Sequence, residues 1–212
     1  MSLSLDSDVV RKLAAYALLN QLPAAFGCQA SNCWVLPTLK FQLKLKNADK
    51  GLAVLGSQAA LDDVTTFVAQ ASEITDVSVD AANLVLALDL DGLDAGERTL
   101  LAWLLTEVEH LMLTGDKRAI CALGHIDPAS PIVQHKQRIR CLETIMLRLI
   151  EHVGFQTTSD AVRSRPDADT ALRAVFGNCV PSGEPTVIAG LHSYVAHLVA
   201  SSNGFYVADV AA

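Results

Sequence analysis

The segment LDAGERTLLAWLLTEVEHLMLTGDKRAICAL (residues 93–123) is the main basis for the fold that we predict. Its first half carries apolar residues at helical spacing, which predicts a helix with one buried face. These residues are Leu100, Leu101, Leu104, Leu105 and Val108. A short apolar run at 111–113 then ends in Thr114-Gly115, which is typical of a buried central strand. Asp116 follows this strand at once, and the next helix is predicted at Lys117–Leu123.

Short strands alternate with helices from the N-terminus to about Leu123. Strands are predicted at Ser2–Leu5, 34–36, 74–79 and 111–113. Between them, helices are predicted at 9–22, 38–46, 61–71 and 81–88, with a break at 47–51 and a turn at 89–92. This alternation predicts an α/β protein, a three-layer α/β/α unit with a mainly parallel sheet.

The pattern changes after residue 124, where only helices are predicted. They lie at 132–153, 160–176 and 185–201. We therefore predict an α/β domain at residues 1–124 and a C-terminal helical extension at 125–212. The helix predicted at 132–153 has an apolar stripe that needs a cover, either from the first domain or from a second copy in a homodimer. Its residues are Ile139, Leu142, Ile145, Met146, Leu149 and Ile150.

Three motifs resemble the PIN-domain family of small metal-dependent nucleases, which includes the toxin ribonucleases of toxin–antitoxin modules. In that family a glycine–glutamate pair opens a helix and a strand ends in threonine-x-aspartate. Gly96-Glu97 and Thr114-Gly115-Asp116 stand in those places here. At the N-terminus, Leu5-Asp6-Ser7-Asp8 is similar to the opening motif of the family. The resemblance covers about residues 3–123 and implies a PIN-like fold and hydrolysis of RNA.

The resemblance also implies a site in which Asp6, Glu97 and Asp116 are the catalytic residues and the metal ligands. The metal would be Mg²⁺ or Mn²⁺, since these hard cations prefer oxygen ligands. Such a cation neutralises charge on the scissile phosphate and makes a water nucleophilic. Accessory candidates are Ser7, Asp8, Gln42 and Thr114.

Two alternative hypotheses stay open. Gln42 stands where the family usually carries a glutamate, which favours a degenerate PIN-fold module that binds or assembles with a protein partner. In the other alternative, the acids are only helix caps. Asp94-Ala-Gly-Glu97 fits a capping box, and Asp6 and Asp116 each precede a helix.

Composition limits the class of protein and its partners. Of the 212 residues, 51% are hydrophobic and 18% are charged, which predicts a globular chain. No apolar run has the length of a membrane span, and the first residues lack the pattern of a signal peptide. The five scattered cysteines fit reduced thiols, so we expect a cytoplasmic protein. The net charge of −7 disfavours broad binding to nucleic acid, although Lys40 and Lys44 share a helix face that can contact it.

Overall fold

The computed structural model describes residues 1–88, 90–106 and 109–208. The strands are β1 (Ser2–Leu5), β2 (Cys33–Val35), β3 (Ser72–Glu73), β4 (His110–Thr114) and β5 (Ile139–Cys141). The α-helices before β4 are α1 (Ser7–Ala15), α2 (Leu22–Ala25), α3 (Leu39–Gln42), α4 (Ala48–Leu55), α5 (Gln58–Gln70), α6 (Val79–Leu86) and α7 (Ala95–Leu104). Those after β4 are α8 (Lys117–Leu123), α9 (Leu142–Val153), α10 (Phe155–Ser164), α11 (Thr170–Phe176) and α12 (Glu184–Ser201). Short 3₁₀ helices occupy Leu19–Gln21, Ala30–Asn32 and Pro131–Arg138.

The strands form one parallel sheet in the order β3-β2-β1-β4-β5, with β1 at its centre. Leu3 of β1 pairs with Cys33 on one side and with Leu111 on the other. The chain therefore runs outward through β2 and β3, then crosses to β4 and β5 on the opposite side of β1. The predicted α/β/α class is confirmed. The order of the strands reverses between β1 and β4, where open α/β sheets bind their ligands.

Helices cover both faces of the sheet, so its central strands are buried on both sides. Within β4, Leu113 belongs to one hydrophobic cluster and Met112 to another. The first cluster joins Leu3 to Leu149 of α9, and the second joins Leu104 to Leu198 of α12. Residues before and after position 124 thus share both clusters as well as the sheet.

The prediction of one helix at 132–153 is wrong in its first part. Pro131–Arg138 is a 3₁₀ helix, and Ile139–Cys141 is the edge strand β5, which pairs with β4 through Met112 and Ile139. Only Leu142–Val153 is α-helical. The spacing of the apolar side chains fits one helical face, but Ile139 lies in strand β5 and pairs with β4. The positions are 139, 142, 145, 146, 149 and 150. The whole stripe is buried within this chain, so it is covered without a second copy.

Other predicted bounds also need correction. The third strand lies at Ser72–Glu73 and not at 74–79, because this edge of the sheet pairs for only two residues. The helix predicted at 9–22 stops at Ala15, because Ala17 takes a left-handed φ of 55° that no α-helix continues through. In place of a break at 47–51, the Asn47 side chain accepts a hydrogen bond from the Lys50 N–H and caps α4. Of the predicted helix and turn residues, Val108 and Asp89 lie outside the described residues.

None of the helices in the described part of the chain combines the length and the apolar character needed to cross a membrane. The longest, α12, has eighteen residues and is polar at intervals.

Candidate functional site

A cleft of about 1050 Å³ opens at the carboxyl ends of β1 and β4. We call it the acidic cleft, after the carboxylates that line it: Asp6, Asp8, Asp94, Glu97 and Asp116. Ser7, Gln42 and Gly115 also line it, together with the cations Arg11 and Arg118. All three predicted catalytic acids therefore face one cavity, although they come from separate elements of the chain.

Asp6 follows β1 directly and is tied to the end of β4. Its N–H donates to the Leu113 carbonyl at 2.9 Å, and its Oδ2 lies 3.5 Å from the Thr114 hydroxyl, which donates to it. Burial raises the pKa of this carboxyl, and the charge of Asp8 raises it further. Backbone N–H groups, including that of Gly115, partly offset the rise. Asp6 thus carries its negative charge at a cost in free energy.

Asp8 closely approaches Gly115 in the turn after β4, so a larger residue at 115 would displace the Asp8 carboxylate. A Cβ on Gly115 would lie 2.5 Å from Asp8 Oδ2, well inside van der Waals contact. Asp8 is also ion-paired with Arg11 at 2.7 Å and with Lys12 at 2.6 Å. Its charge is therefore balanced inside the protein, unlike that of Asp6.

Glu97 is both a helix cap and a member of the cleft. Its N–H donates to Asp94 Oδ1 at 2.8 Å, and its Oε2 accepts the Asp94 N–H at 2.8 Å, which completes the predicted capping box of α7. The side chain is only 5% exposed. Burial, with smaller contributions from the carboxylates Asp94, Asp116 and Asp6, raises its pKa to about 7. Glu97 therefore titrates near neutral pH.

Asp116 caps α8 and holds an arginine. Its Oδ1 accepts the N–H groups of Arg118 at 2.7 Å and Ala119 at 3.3 Å, while Arg118 Nη2 donates to Oδ2 at 3.0 Å. Burial alone would raise the pKa of this carboxyl, but the hydrogen bonds from Arg118 lower it below its ordinary value. Asp116 is thus ionised, with a cation already beside it. The Arg118 side chain is 89% exposed and so is easily displaced.

The accessory candidates differ in their placement. The Ser7 hydroxyl donates to Gln42 Oε1 at the mouth of the cleft, so the residue that replaces the expected glutamate does reach this site. Thr114 is buried below the cleft, where its hydroxyl accepts the Asp116 N–H at 3.1 Å. Lys40 instead pairs with Glu73 at 2.6 Å, and neither it nor Lys44 is among the residues that line the cleft.

The donor set fits a hard cation in its chemistry but not yet in its spacing. Every predicted ligand is a carboxylate, which suits Mg²⁺ or Mn²⁺. Within residues 1–88, 90–106 and 109–208, however, no three carboxylate, imidazole or thiol side chains lie close enough together to hold a metal. One oxygen of Glu97 is used by the capping box, and both oxygens of Asp116 are used by the backbone and by Arg118. A bound cation would need Asp116 to exchange its arginine.

The sequence motifs assign no role to Arg11 or to Arg118, although both line the cleft. The signal for Arg11 is its spacing of three residues from Asp8 on α1, which places both side chains on one helix face. Arg118 lies two residues after Asp116, and this spacing does not by itself predict an ion pair.

Comparison with known protein families, with curated proteins and with solved structures finds no match for this chain. The likeness to the PIN family therefore depends on the quoted motifs, and what it implies for function is a proposal.

Proposed function

We propose that this protein is a metal-dependent ribonuclease that hydrolyses phosphodiester bonds at the acidic cleft. The observation that carries the proposal is that Asp6, Glu97 and Asp116 line one cavity at the carboxyl ends of β1 and β4. A cleft with five carboxylates and two arginines would repel a nucleic-acid phosphate. A divalent cation held by these three acids removes that repulsion.

The residues of the chain have separate roles in this proposal. When bound, Mg²⁺ or Mn²⁺ supplies charge neutralisation at the phosphate and a nucleophilic water. Asp6 and Asp116 follow adjacent strands, so the fold holds their carboxylate oxygens in place as metal ligands. The Thr114 hydroxyl orients Asp6, and its oxygen anchors the Asp116 backbone. Glu97, with a pKa of about 7, loses its proton when a cation binds, so binding is tighter as the pH rises.

A thermal-shift titration tests the metal site first. We expect Mn²⁺ to raise the melting temperature, because it binds the folded protein and relieves repulsion among the three acids. Asp116→Asn is expected to remove most of the rise. Asp94→Asn serves as the matched control, since asparagine caps a helix about as well as aspartate and Asp94 is not a proposed ligand. Equal shifts in wild type and Asp116→Asn would contradict the proposed site.

The cleavage test follows with labelled single-stranded RNA and Mn²⁺. Wild-type protein is expected to cleave it, and Asp116→Asn is expected to lose nearly all activity. Cleavage that persists in purified Asp116→Asn would identify a contaminating nuclease and count against the proposal.

A second candidate function is a PIN-fold module that binds or assembles without cleaving. Gln42 in place of a carboxylate, and Arg118 on Asp116, favour it. The outer face of α6 also exposes Val79, Leu84 and Leu86, which suits contact with a protein partner or a second copy. This candidate predicts no RNA cleavage, and a dimer or complex that dissociates in Leu86→Lys when examined by sedimentation.

We further propose that the protein works in the cytoplasm. All five cysteines are free thiols, including the exposed Cys179. Free thiols persist in a reducing compartment.

A further inference from the structure

The segment from Lys40 to Lys50 concentrates positive charge on an acidic protein. It holds four of the seven lysines in a chain whose net charge is −7. Three of these, Lys44, Lys46 and Lys50, are exposed, and so is the ring of Phe41 in the same segment, over which the Lys46 ammonium lies. We call these four residues the Lys–Phe face.

The lysines of this face are not neutralised by the protein. Lys40 has Glu73 as its partner, but in the described part of the chain no carboxylate lies within ion-pair distance of Lys44, Lys46 or Lys50. Lys44 also adopts a left-handed φ of 56°, a conformation that is cheaper for glycine or asparagine. A charged side chain is therefore held at a turn where its backbone is unfavourable.

The Phe41 ring is more exposed to solvent than is usual for a phenylalanine. Its side chain keeps 59% exposure although Lys46 Nζ lies 4.8 Å from the ring centroid. This contact is a cation–π pair, which orients the ring and the ammonium group together. An aromatic face beside ammonium groups is the combination with which proteins bind single strands, stacking on bases while neutralising phosphates.

The Lys–Phe face adjoins the acidic cleft. Gln42, the neighbour of Phe41, lines the cleft, as do Thr38, Leu43 and Val54 from the same α3–α4 region. The Lys–Phe face and the cleft therefore share the α3–α4 region, so one nucleic-acid strand is proposed to contact both.

We propose that the Lys–Phe face binds single-stranded nucleic acid, with phosphates on Lys44, Lys46 and Lys50 and one base stacked on Phe41. The expectation that RNA is the ligand of this face rests on the proposed function. Binding of the RNA to the face itself requires neither a metal nor cleavage. A duplex is excluded as the preferred ligand, because its bases are already stacked and cannot cover the phenylalanine ring.

Fluorescence anisotropy with a short labelled oligouridine, in EDTA and at low salt, tests this proposal. Phe41→Ala is expected to weaken binding about tenfold, while Phe41→Tyr retains it, since either ring can stack. Lys44→Glu is expected to lower the slope of log affinity against log salt concentration by about 0.7, the value for one phosphate contact on a single strand. A hairpin duplex with an equal number of nucleotides is expected to bind more weakly.

The controls distinguish specific binding at this face from nonspecific binding and from loss of the folded structure. Val180→Ala removes an exposed apolar side chain elsewhere, and Lys136→Glu makes the same change of charge away from the face. Both are expected to bind like wild type, and all variants are checked by their melting temperature. Equal binding by wild type, Phe41→Ala and Lys44→Glu would overturn the proposal, as would tighter binding of the duplex. Phe41-dependent binding to phosphatidylserine vesicles, without binding to RNA, would overturn it in favour of a membrane surface.

Failure of this proposal and failure of the proposed function give different results. If only the nuclease proposal fails, oligouridine binding in EDTA still depends on Phe41 but no cleavage occurs with Mn²⁺. If only this inference fails, cleavage with Mn²⁺ still depends on Asp116 and is unchanged in Phe41→Ala.

Discussion

Carboxylates follow three neighbouring strands of this sheet, but they lie in opposite environments. Asp6 and Asp116, after β1 and β4, face the open acidic cleft. Glu143, just after β5, is 2% exposed, and its Oε1 lies 2.5 Å from Lys117 Nζ. Within the described residues its Oε2 has no hydrogen-bond partner. Position at a strand end therefore does not by itself make an acid part of a site.

The difference comes from what covers each strand end. Helix α12 packs on both α8 and α9, and its Tyr194 ring lies 4.6 Å from Lys117 Nζ. This packing closes the β5 side over the Glu143–Lys117 pair. The acids of β1 and β4 are left on the uncovered side, where an external cation can reach them. The C-terminal helices thus help to decide which strand ends are accessible.

Breaking the closed pair is expected to have the largest effect on stability. Lys117→Met keeps the stem over Tyr194 but leaves Glu143 buried without a cation, and we expect unfolding to become easier by about 3 kcal/mol. Urea denaturation measures the change. Adding Glu143→Gln is expected to restore most of the loss, because the buried charge is then gone. A loss of stability that Glu143→Gln does not relieve would show that Lys117 acts only by packing.

In the acidic cleft, the buried carboxyl of Glu97 is expected to make the stability of the protein depend on pH. The folded-state pKa of Glu97, about 7, is above the ordinary value of 4.5, so folding favours its protonated form. The stabilisation is complete below the ordinary pKa and is lost as the pH rises through the folded-state pKa, with a total of about 3 kcal/mol. We expect wild type to lose this stability between about pH 5 and pH 7.

Glu97→Gln is the matched variant for this measurement, because glutamine also completes a capping box. Its free energy of unfolding, measured in urea, is expected to vary less with pH over the same range. Parallel profiles for the two proteins would show that Glu97 is not strained and would remove one support for the cleft.

The centre of the fold could be predicted from the sequence because its signals are local. Strand β4 contains a continuous apolar run, β1 alternates serine with leucine, and each is followed by an aspartate and a helix. Helix α8 lies at the predicted bounds Lys117–Leu123. Strand β5 could not be predicted, since Ile139 and Cys141 fit the helical spacing of α9 as well as a strand. Only pairing with β4, a contact distant in sequence, selects the strand. Helix α4 was missed because Gly51 indicated a break, whereas it is buried there, where a Cβ would lie 3.1 Å from Leu61.

For the site, the sequence predicted which acids meet but not the charges beside them. Asp6 and Asp116 had to meet once β1 and β4 were neighbours in a parallel sheet. The ion pairs of Asp8 with Lys12 and of Asp116 with Arg118 depend on side-chain rotamers, which spacing does not determine. Those pairs decide how much negative charge remains for a cation, so affinity for a metal could not be inferred from the motif.

A smaller effect is expected when a carboxylate is restored at the position that departs from the family pattern. Gln42→Glu adds negative charge to the cleft and can still accept the Ser7 hydroxyl. We expect Mn²⁺ to bind about tenfold more tightly, because the number of charged ligands tunes affinity for such cations. Isothermal titration calorimetry measures the change, with Gln134→Glu on the 3₁₀ helix as a control for net charge. Unchanged affinity in Gln42→Glu would place this residue outside the metal site.

The smallest effect is expected from removing the arginine that already occupies Asp116. Arg118→Ala frees Asp116 Oδ2 and takes a cation from the rim of the cleft, so Mn²⁺ no longer competes with a guanidinium. We expect a gain in affinity of roughly two- to fivefold, since an exposed ion pair contributes little. The gain should disappear when Asp116→Asn is also present, because the two residues act on the same cation. An equal gain in the Asp116→Asn background would mean that Arg118 acts through the general field of the cleft, and that Asp116 is not the ligand it blocks.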